Sequence, residues 1–390
     1  MNINSALTQI EATGDAPLRA VIADLGGWPV LTEQWSSQQF VLEDVLAKMR
    51  GKYSTPLLFK CSVGVDDKNS SVNILQIQQG DLGMPSREYY LLKDHASHMQ
   101  AYSQFMKDVV KLLGAKGPEV NDQLNDILNF EITLANFDLL RYLRGFVVDN
   151  ITEDEPVVLF ATQYMQNIAK LLHHTENRTL ANYLIWRLVS DMVPELSEPY
   201  QQVEAQYKHV IQGVQRDSVR WKKCVKFVNE KMGMAVGAMF IKDNFKKESK
   251  ETLNFEEDAF FDNFLKLLEF ASKKMMEKLR QPVRQDLYEQ DPVVVNAFYN
   301  PNTNNILFPA GILQPLFYSS VFPKSLNYGG IGVVIGHEIT HGFDDKGRQY
   351  DKYGNIKQWW DDHTIQAFRE RAQCIIDQYS QYKLDQIHEY

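Results

Sequence analysis

Cysteine is scarce. Cys61, Cys224 and Cys374 are the three in 390 residues, too few for a disulfide-stapled scaffold. An odd number leaves at least one thiol without a partner inside the chain. Long apolar runs are also missing: the most apolar stretch, residues 331–335, is far shorter than the ~20 residues a bilayer crossing takes. Residues 1–15 are polar, so no signal peptide and no route into the secretory pathway are expected as the chain is written. No basic domain or stripe is present. The balance is 41 basic against 50 acidic residues, and the lysine pairs, such as Lys246-Lys247 and Lys273-Lys274, sit beside acidic residues. No nucleic-acid partner is expected.

What is there is an ordinary globular composition, 44% hydrophobic and 23% charged, which excludes a disordered or collagenous chain. At about 150 residues per domain, the length suggests two or three domains. Residues 1 to about 255 read as mostly helical, with helical spacing of apolar residues in 105–113, 124–140, 164–172 and 183–193. Another helix is predicted over 257–280. The character then changes. Val293 to Tyr299 is β-branched and aromatic, Asn300 to Asn304 is turn-forming, and Ile306-Leu307-Phe308 resumes the strand pattern, which together predict a hairpin. Residues 329–343 are predicted as a helix, with Gly332 and Gly336 permitting close packing.

That helix carries His337-Glu338-Ile339-Thr340-His341, an HExxH motif. Residues four apart share a helix face, so both imidazoles can reach one ion. Glu338 lies beside them as the candidate catalytic base. In a chain of this make-up the motif arises by chance on the order of once in a hundred chains, so it carries weight. A catalytic zinc takes three protein ligands and a water. A third histidine of the metzincin type would stand at 347, which is Gly347. Glu370, His363 and Glu389 follow the motif, but none has a convincing context, so the residues alone leave the third ligand open. Asn296, beside the predicted hairpin strand, could offer its amide to an extended substrate added at a sheet edge.

Taken together, Asn296-Ala297-Phe298-Tyr299, Phe308-Pro309-Ala310-Gly311-Ile312-Leu313-Gln314, Leu326-Asn327-Tyr328-Gly329-Gly330-Ile331-Gly332 and the motif followed by Gly342-Phe343-Asp344-Asp345 resemble the neprilysin and endothelin-converting-enzyme family of zinc metallopeptidases. Gly26 to Pro29, Asp66 to Ser70 and Leu82 to Tyr90 extend the resemblance over almost the whole chain. Val333-Val334 and Gly347 to Asp351 lean toward the endothelin-converting side.

The resemblance implies a mainly α, two-lobed helical fold with a thermolysin-like zinc helix and a short β-hairpin in the catalytic lobe. Residues 1–255 would be a helical lid and 256–390 the first part of the catalytic lobe. It implies one zinc ion held by His337 and His341, with Glu338 as base. Asn296 and Ala297 would hold the substrate backbone. Ile312, Phe317, Val333 and Val334 would line an apolar pocket for the residue after the cleaved bond. The implied activity is an endopeptidase cutting small peptides on the amino side of bulky apolar residues, at the cell surface or secreted. The family's third ligand, a downstream Glu, has no counterpart here, nor has the membrane anchor. Two internal stretches are expected to be shortened, around 136–147 and 250–257. Cys224 and Cys374 match family half-cystines whose partners also lie outside these 390 residues; Cys61 matches none. The isolated chain is therefore expected to bind zinc weakly and turn over little. The alternative is an inactive truncated relative acting as a binding or decoy protein. Sequons at Asn69, Asn150 and Asn177 fit an ectodomain.

Overall fold

Helical periodicity dominates the first part of the chain, and the computed structural model bears it out. The structure describes residues 3–32, 34–86, 88–91, 93–131, 157–159, 168, 171–213, 222, 225, 226, 228, 255, 256, 259–284 and 290–382. Residues 132–140, most of 164–172, the expected shortening around 136–147, most of the one at 250–257, Asn150, Cys224, Lys246-Lys247 and Glu389 lie outside that set. The helices of the first part are α1 (Ile3–Thr13), α2 (Ala16–Asp24), α3 (Leu42–Tyr53), α4 (Glu88–Leu91), α5 (Ala96–Leu112), α6 (Val120–Glu131), α7 (Asn177–Met192), α8 (Glu198–Gln212) and α9 (Phe260–Met276).

Contacts divide the chain into two compact units. One comprises residues 1–64, 73–233 and 248–282; the other comprises 65–72, 234–247 and 283–390. Residues 259–282 fall in the first unit. The reason is α9: Phe261, Phe264 and Met276 are buried in the core of the first unit. Arg50 on α3 donates to Ser272 Oγ at 3.0 Å, and that hydroxyl donates back to the Arg50 carbonyl at 2.9 Å.

The first unit has a large apolar core. α7 is its centre, buried on every side from Leu180 to Val189, as expected of a helix with no polar stripe. α5 turns Tyr102, Phe105, Met106, Val109 and Val110 inward at helical spacing. α8 packs on it, with the Phe105 and Tyr207 rings stacked at 4.8 Å, and stops at Gly213, whose φ of 64° suits glycine. Glu131 and Arg187 form a buried ion pair at 3.5 Å. The Gly83 N–H and the Tyr90 hydroxyl also donate to Glu131, at 2.9 and 2.7 Å. This fastens the turn at 81–86 to α6 and α7. Burial pushes the Glu131 carboxyl up, opposed by Arg187 and those donors.

A sheet stands within the stretch read as mostly helical. β1 (Phe59–Asp66) and β2 (Asn69–Gln79) form a hairpin closed by Asp67-Lys68, and β3 (Val157–Leu159) runs parallel to β2 with Leu75 opposite Val157. β1 alternates buried and half-buried residues from Phe59 to Val63, the period of two that marks a strand.

In the second unit β4 (Phe298–Asn300) pairs antiparallel with β5 (Asn305–Leu307), Tyr299 opposite Ile306. The hairpin is shorter than its β-branched approach predicts. The Gly311 N–H donates to the Pro292 carbonyl at 2.8 Å, so the backbone at 292–294 packs against Gly311 instead of joining the ladder. α10 (Lys324–Gly329) and α11 (Ile331–His341) break at Gly330, where a Cβ would meet the Phe317 carbonyl oxygen at 2.5 Å. α12 (Asp362–Tyr379) begins at Asp361, whose carboxylate accepts the Thr364 N–H.

The tip of the β1–β2 hairpin belongs to this unit and ties it together. Asp67 Oδ1 accepts from Asn302 Nδ2 at 2.8 Å and from the Tyr350 hydroxyl at 3.1 Å. The Ser70 N–H donates to Asn355 Oδ1, and the Ser70 hydroxyl to the Tyr353 carbonyl. Among the described residues of this unit, the buried apolar side chains are Ala297, Ile312 and Ile331 with the prolines Pro292 and Pro309. Large apolar side chains instead stand open: Leu316 at 90%, Tyr328 at 77% and Val333 at 64% exposure, with Ile339, Phe343, Ile375 and Ile376 also exposed.

Candidate metal centre

α11 presents the motif as its spacing requires. His337 and His341 sit one turn apart, and Glu338, buried at 5% exposure, joins them in one group able to hold a metal ion. Their Nε2 atoms lie 3.0 Å apart. Two nitrogens bound 2.0–2.1 Å from one tetrahedral ion are about 3.3 Å apart, so the pair fits zinc.

Asp344 orients His341. Its Oδ2 lies 2.8 Å from His341 Nδ1, while its Oδ1 accepts the N–H groups of Lys346 at 3.0 Å and Gly347 at 2.7 Å. Burial pushes this carboxyl up. The Gly347 N–H, the imidazole and the Lys346 N–H outweigh it and hold the group below its usual range. A carboxylate only accepts, so His341 carries its proton on Nδ1 and leaves Nε2 with a lone pair turned toward His337. Gly347 permits the tight turn, since a Cβ there would overlap the His341 carbonyl oxygen. In the sequence Asp344 counts toward the family resemblance without an assigned role; an Asp three residues past the second histidine is the signal for one.

The remaining expected residues are less gathered. The Phe317 carbonyl accepts the Ile331 N–H at 2.8 Å, joining Phe317 to the start of the zinc helix. Ile312 is buried, and Phe317 and Val334 are half-buried. Val333 stands open on α11. Ala297 is buried, and its N–H donates to the side-chain oxygen of exposed Asn296 at 2.9 Å. Glu370 and His363 lie on α12 and do not join the motif's metal-ligating group.

Known proteins match this chain over most of its length. Profiles described as peptidase family M13 match residues 296–389 and, in two pieces, residues 3–138 and 134–287. Mouse membrane metallo-endopeptidase-like 1 is 33% identical, the match covering 96% of this chain and 62% of the relative. Human endothelin-converting enzyme 1 is 31% identical over 97% and 61%. These near-equal identities do not separate the two branches, so the lean toward the endothelin-converting side finds no support. The chain spans about three fifths of the length of these relatives. Each match runs over more residues than the 390 of this chain, 478 and 470, so each opens gaps in it. The crystal structure of Mycobacterium tuberculosis zinc metalloprotease Zmp1 with an inhibitor shares the fold at a TM-score of 0.83 and 23% identity, covering 97% of this chain and 68% of that one. PepO from a Lactobacillus follows at 0.76 and 19%, covering 94% and 70%. Family profiles matched from residue 3 to 389 and the motif on α11 lead to one conclusion: the chain belongs to peptidase family M13, the neprilysin and endothelin-converting-enzyme family of zinc metalloendopeptidases.

Proposed function

We propose that these residues form part of a zinc endopeptidase that cuts small peptides on the amino side of bulky apolar residues. The observation that carries this reading is the convergence of the two Nε2 atoms at 3.0 Å, with His341 oriented by Asp344. His337 and His341 would hold the ion. Bound there, zinc supplies Lewis acidity toward a peptide carbonyl and makes water easier to deprotonate near pH 7. Glu338 takes that proton and returns it to the leaving amine. Asn296 and Ala297 bind the substrate backbone, and Ile312, Phe317, Val333 and Val334 receive its apolar side chain. Residues 1–255 correspond by resemblance to the family's helical lid lobe. Surface or secreted localisation follows the relatives named as membrane metallo-endopeptidases; among the described residues no helix is long and apolar enough to cross a membrane.

Two imidazoles are fewer ligands than a catalytic zinc takes. The third is expected from the portion of family sequence that the longer relatives carry and these residues do not. Zinc titration of the 390-residue chain tests the reading. The expected result is that one equivalent of weakly bound zinc is lost in His337→Ala and in His341→Ala, with little peptide hydrolysis. Uptake indifferent to both substitutions overturns the metal assignment. Tight uptake with turnover lost in Glu338→Gln overturns the need for a further ligand. The second reading, a non-catalytic binding protein, is favoured by the apolar side chains left open on α10, α11 and α12. It would be supported by zinc-independent capture of an apolar peptide.

A further inference from the structure

A second pair of histidines faces itself in the first unit. His95 immediately precedes α5 and His98 lies in its first turn, a spacing that puts both on one side. Their Nδ1 atoms are 3.3 Å apart. Tyr89 on α4 stacks on His95, with ring centroids 4.5 Å apart and planes 18° apart, and meets His98 edge-on at 5.1 Å. All three side chains are half-buried. One tyrosine therefore fixes the planes of both rings with two nitrogens converging.

A hydrogen bond between two neutral imidazoles uses one lone pair and one proton. A cation uses the lone pairs of both. The separation matches the about 3.3 Å expected of two nitrogens on one tetrahedral ion. Imidazole ligands select Cu2+, Ni2+ and Zn2+ over Mg2+ and Ca2+, which prefer oxygen. We propose that His95 and His98, held by Tyr89, form a second divalent transition-metal site, distinct from the HExxH helix, with water completing the coordination. Nothing in peptide hydrolysis requires it, so it stands independently of the proposed activity.

The test uses Cu2+ alone as probe, on the full chain carrying His337→Ala and His341→Ala. The expected result is one equivalent of Cu2+ retained, with imidazole-nitrogen hyperfine structure in its electron paramagnetic resonance spectrum. Excess Mg2+ should not displace it. His95→Asn and, separately, His98→Asn should each abolish that equivalent with the circular dichroism unchanged. Tyr89→Leu should weaken it roughly tenfold, as loss of an orienting neighbour does. Absence of the equivalent in the parent, or its persistence in both asparagine variants, overturns the proposal. If either variant fails to fold, acylation of the unmutated chain with diethyl pyrocarbonate decides. Cu2+ should protect His95 and His98 together, and equal labelling with and without it overturns the proposal.

Discussion

Asp344 Oδ2 sits 2.8 Å from His341 Nδ1, one turn beyond the motif it serves. The contact fixes which nitrogen of His341 is free to bind a metal. Asp344→Ala should lower zinc affinity roughly 10–100-fold, read by competition with a chromogenic chelator. Affinity equal to that of the parent would show that the helix alone orients the ring.

The Glu131–Arg187 pair is a stability element. Both side chains are nearly sealed from solvent. Glu131→Ala leaves the Arg187 charge buried without its counter-ion and the Gly83 N–H and Tyr90 hydroxyl without their acceptor. The expected loss is about 3–5 kcal/mol in urea denaturation. A loss under 1 kcal/mol would mean that water reaches the pair.

Asp24 sets an acid limit. Burial raises its carboxyl, but Lys48, Tyr53 and Lys52 outweigh burial and bring it down from the usual 3.8 to about 2. The contacts are 2.8 Å to Lys48, 2.6 Å to the Tyr53 hydroxyl and 3.1 Å to Lys52. The folded-state value is depressed, so this stabilisation is complete above about pH 4 and is lost as pH falls toward 2. Asp24→Asn should be less stable at pH 6 and show a shallower decline between pH 4 and 2. Parallel melting-temperature curves for the two proteins over that window would refute the assignment.

Asp67 joins the hairpin tip to both segments around the zinc helix. Asp67→Ala removes the acceptor of Asn302 and Tyr350. Amide hydrogen exchange should rise several-fold at Ile356, whose N–H donates to the Asp67 carbonyl, and at Ser70. The half-buried site predicts a loss of about 1–2 kcal/mol. Unchanged exchange at both amides would show that the backbone contacts hold the tip alone.

The helices and the His337, Glu338 and His341 group were legible because their signals are local. HExxH fixes its own geometry through the helical repeat, and α5 and α7 announce themselves by apolar spacing. The β1–β2 hairpin was passed over inside a helical reading, though Phe59, Cys61 and Val63 alternate with partly exposed neighbours. Val293-Val294-Val295 has strong strand propensity and still forms no ladder, because tertiary packing against Gly311 decides there. The break at Gly330 depends on the Phe317 carbonyl, a contact sequence spacing does not reveal. That α9 joins the core of the first unit follows from its buried Phe261, Phe264 and Met276, and an amphipathic helix does not say which neighbour it will meet.

The Asp67–Tyr350 bond spans 283 residues, which bears on when the chain can finish folding. At roughly 5–20 residues per second, a ribosome takes about 15–60 s to make the residues between them. For that interval the hairpin tip has no partner loop to close against, and the segment after the zinc helix has yet to be synthesised. Contacts so distant along the chain are also slow to find one another once it is released. Completion of the metal-binding unit therefore waits until Tyr350 and its neighbours have been made, long after the turn they close against.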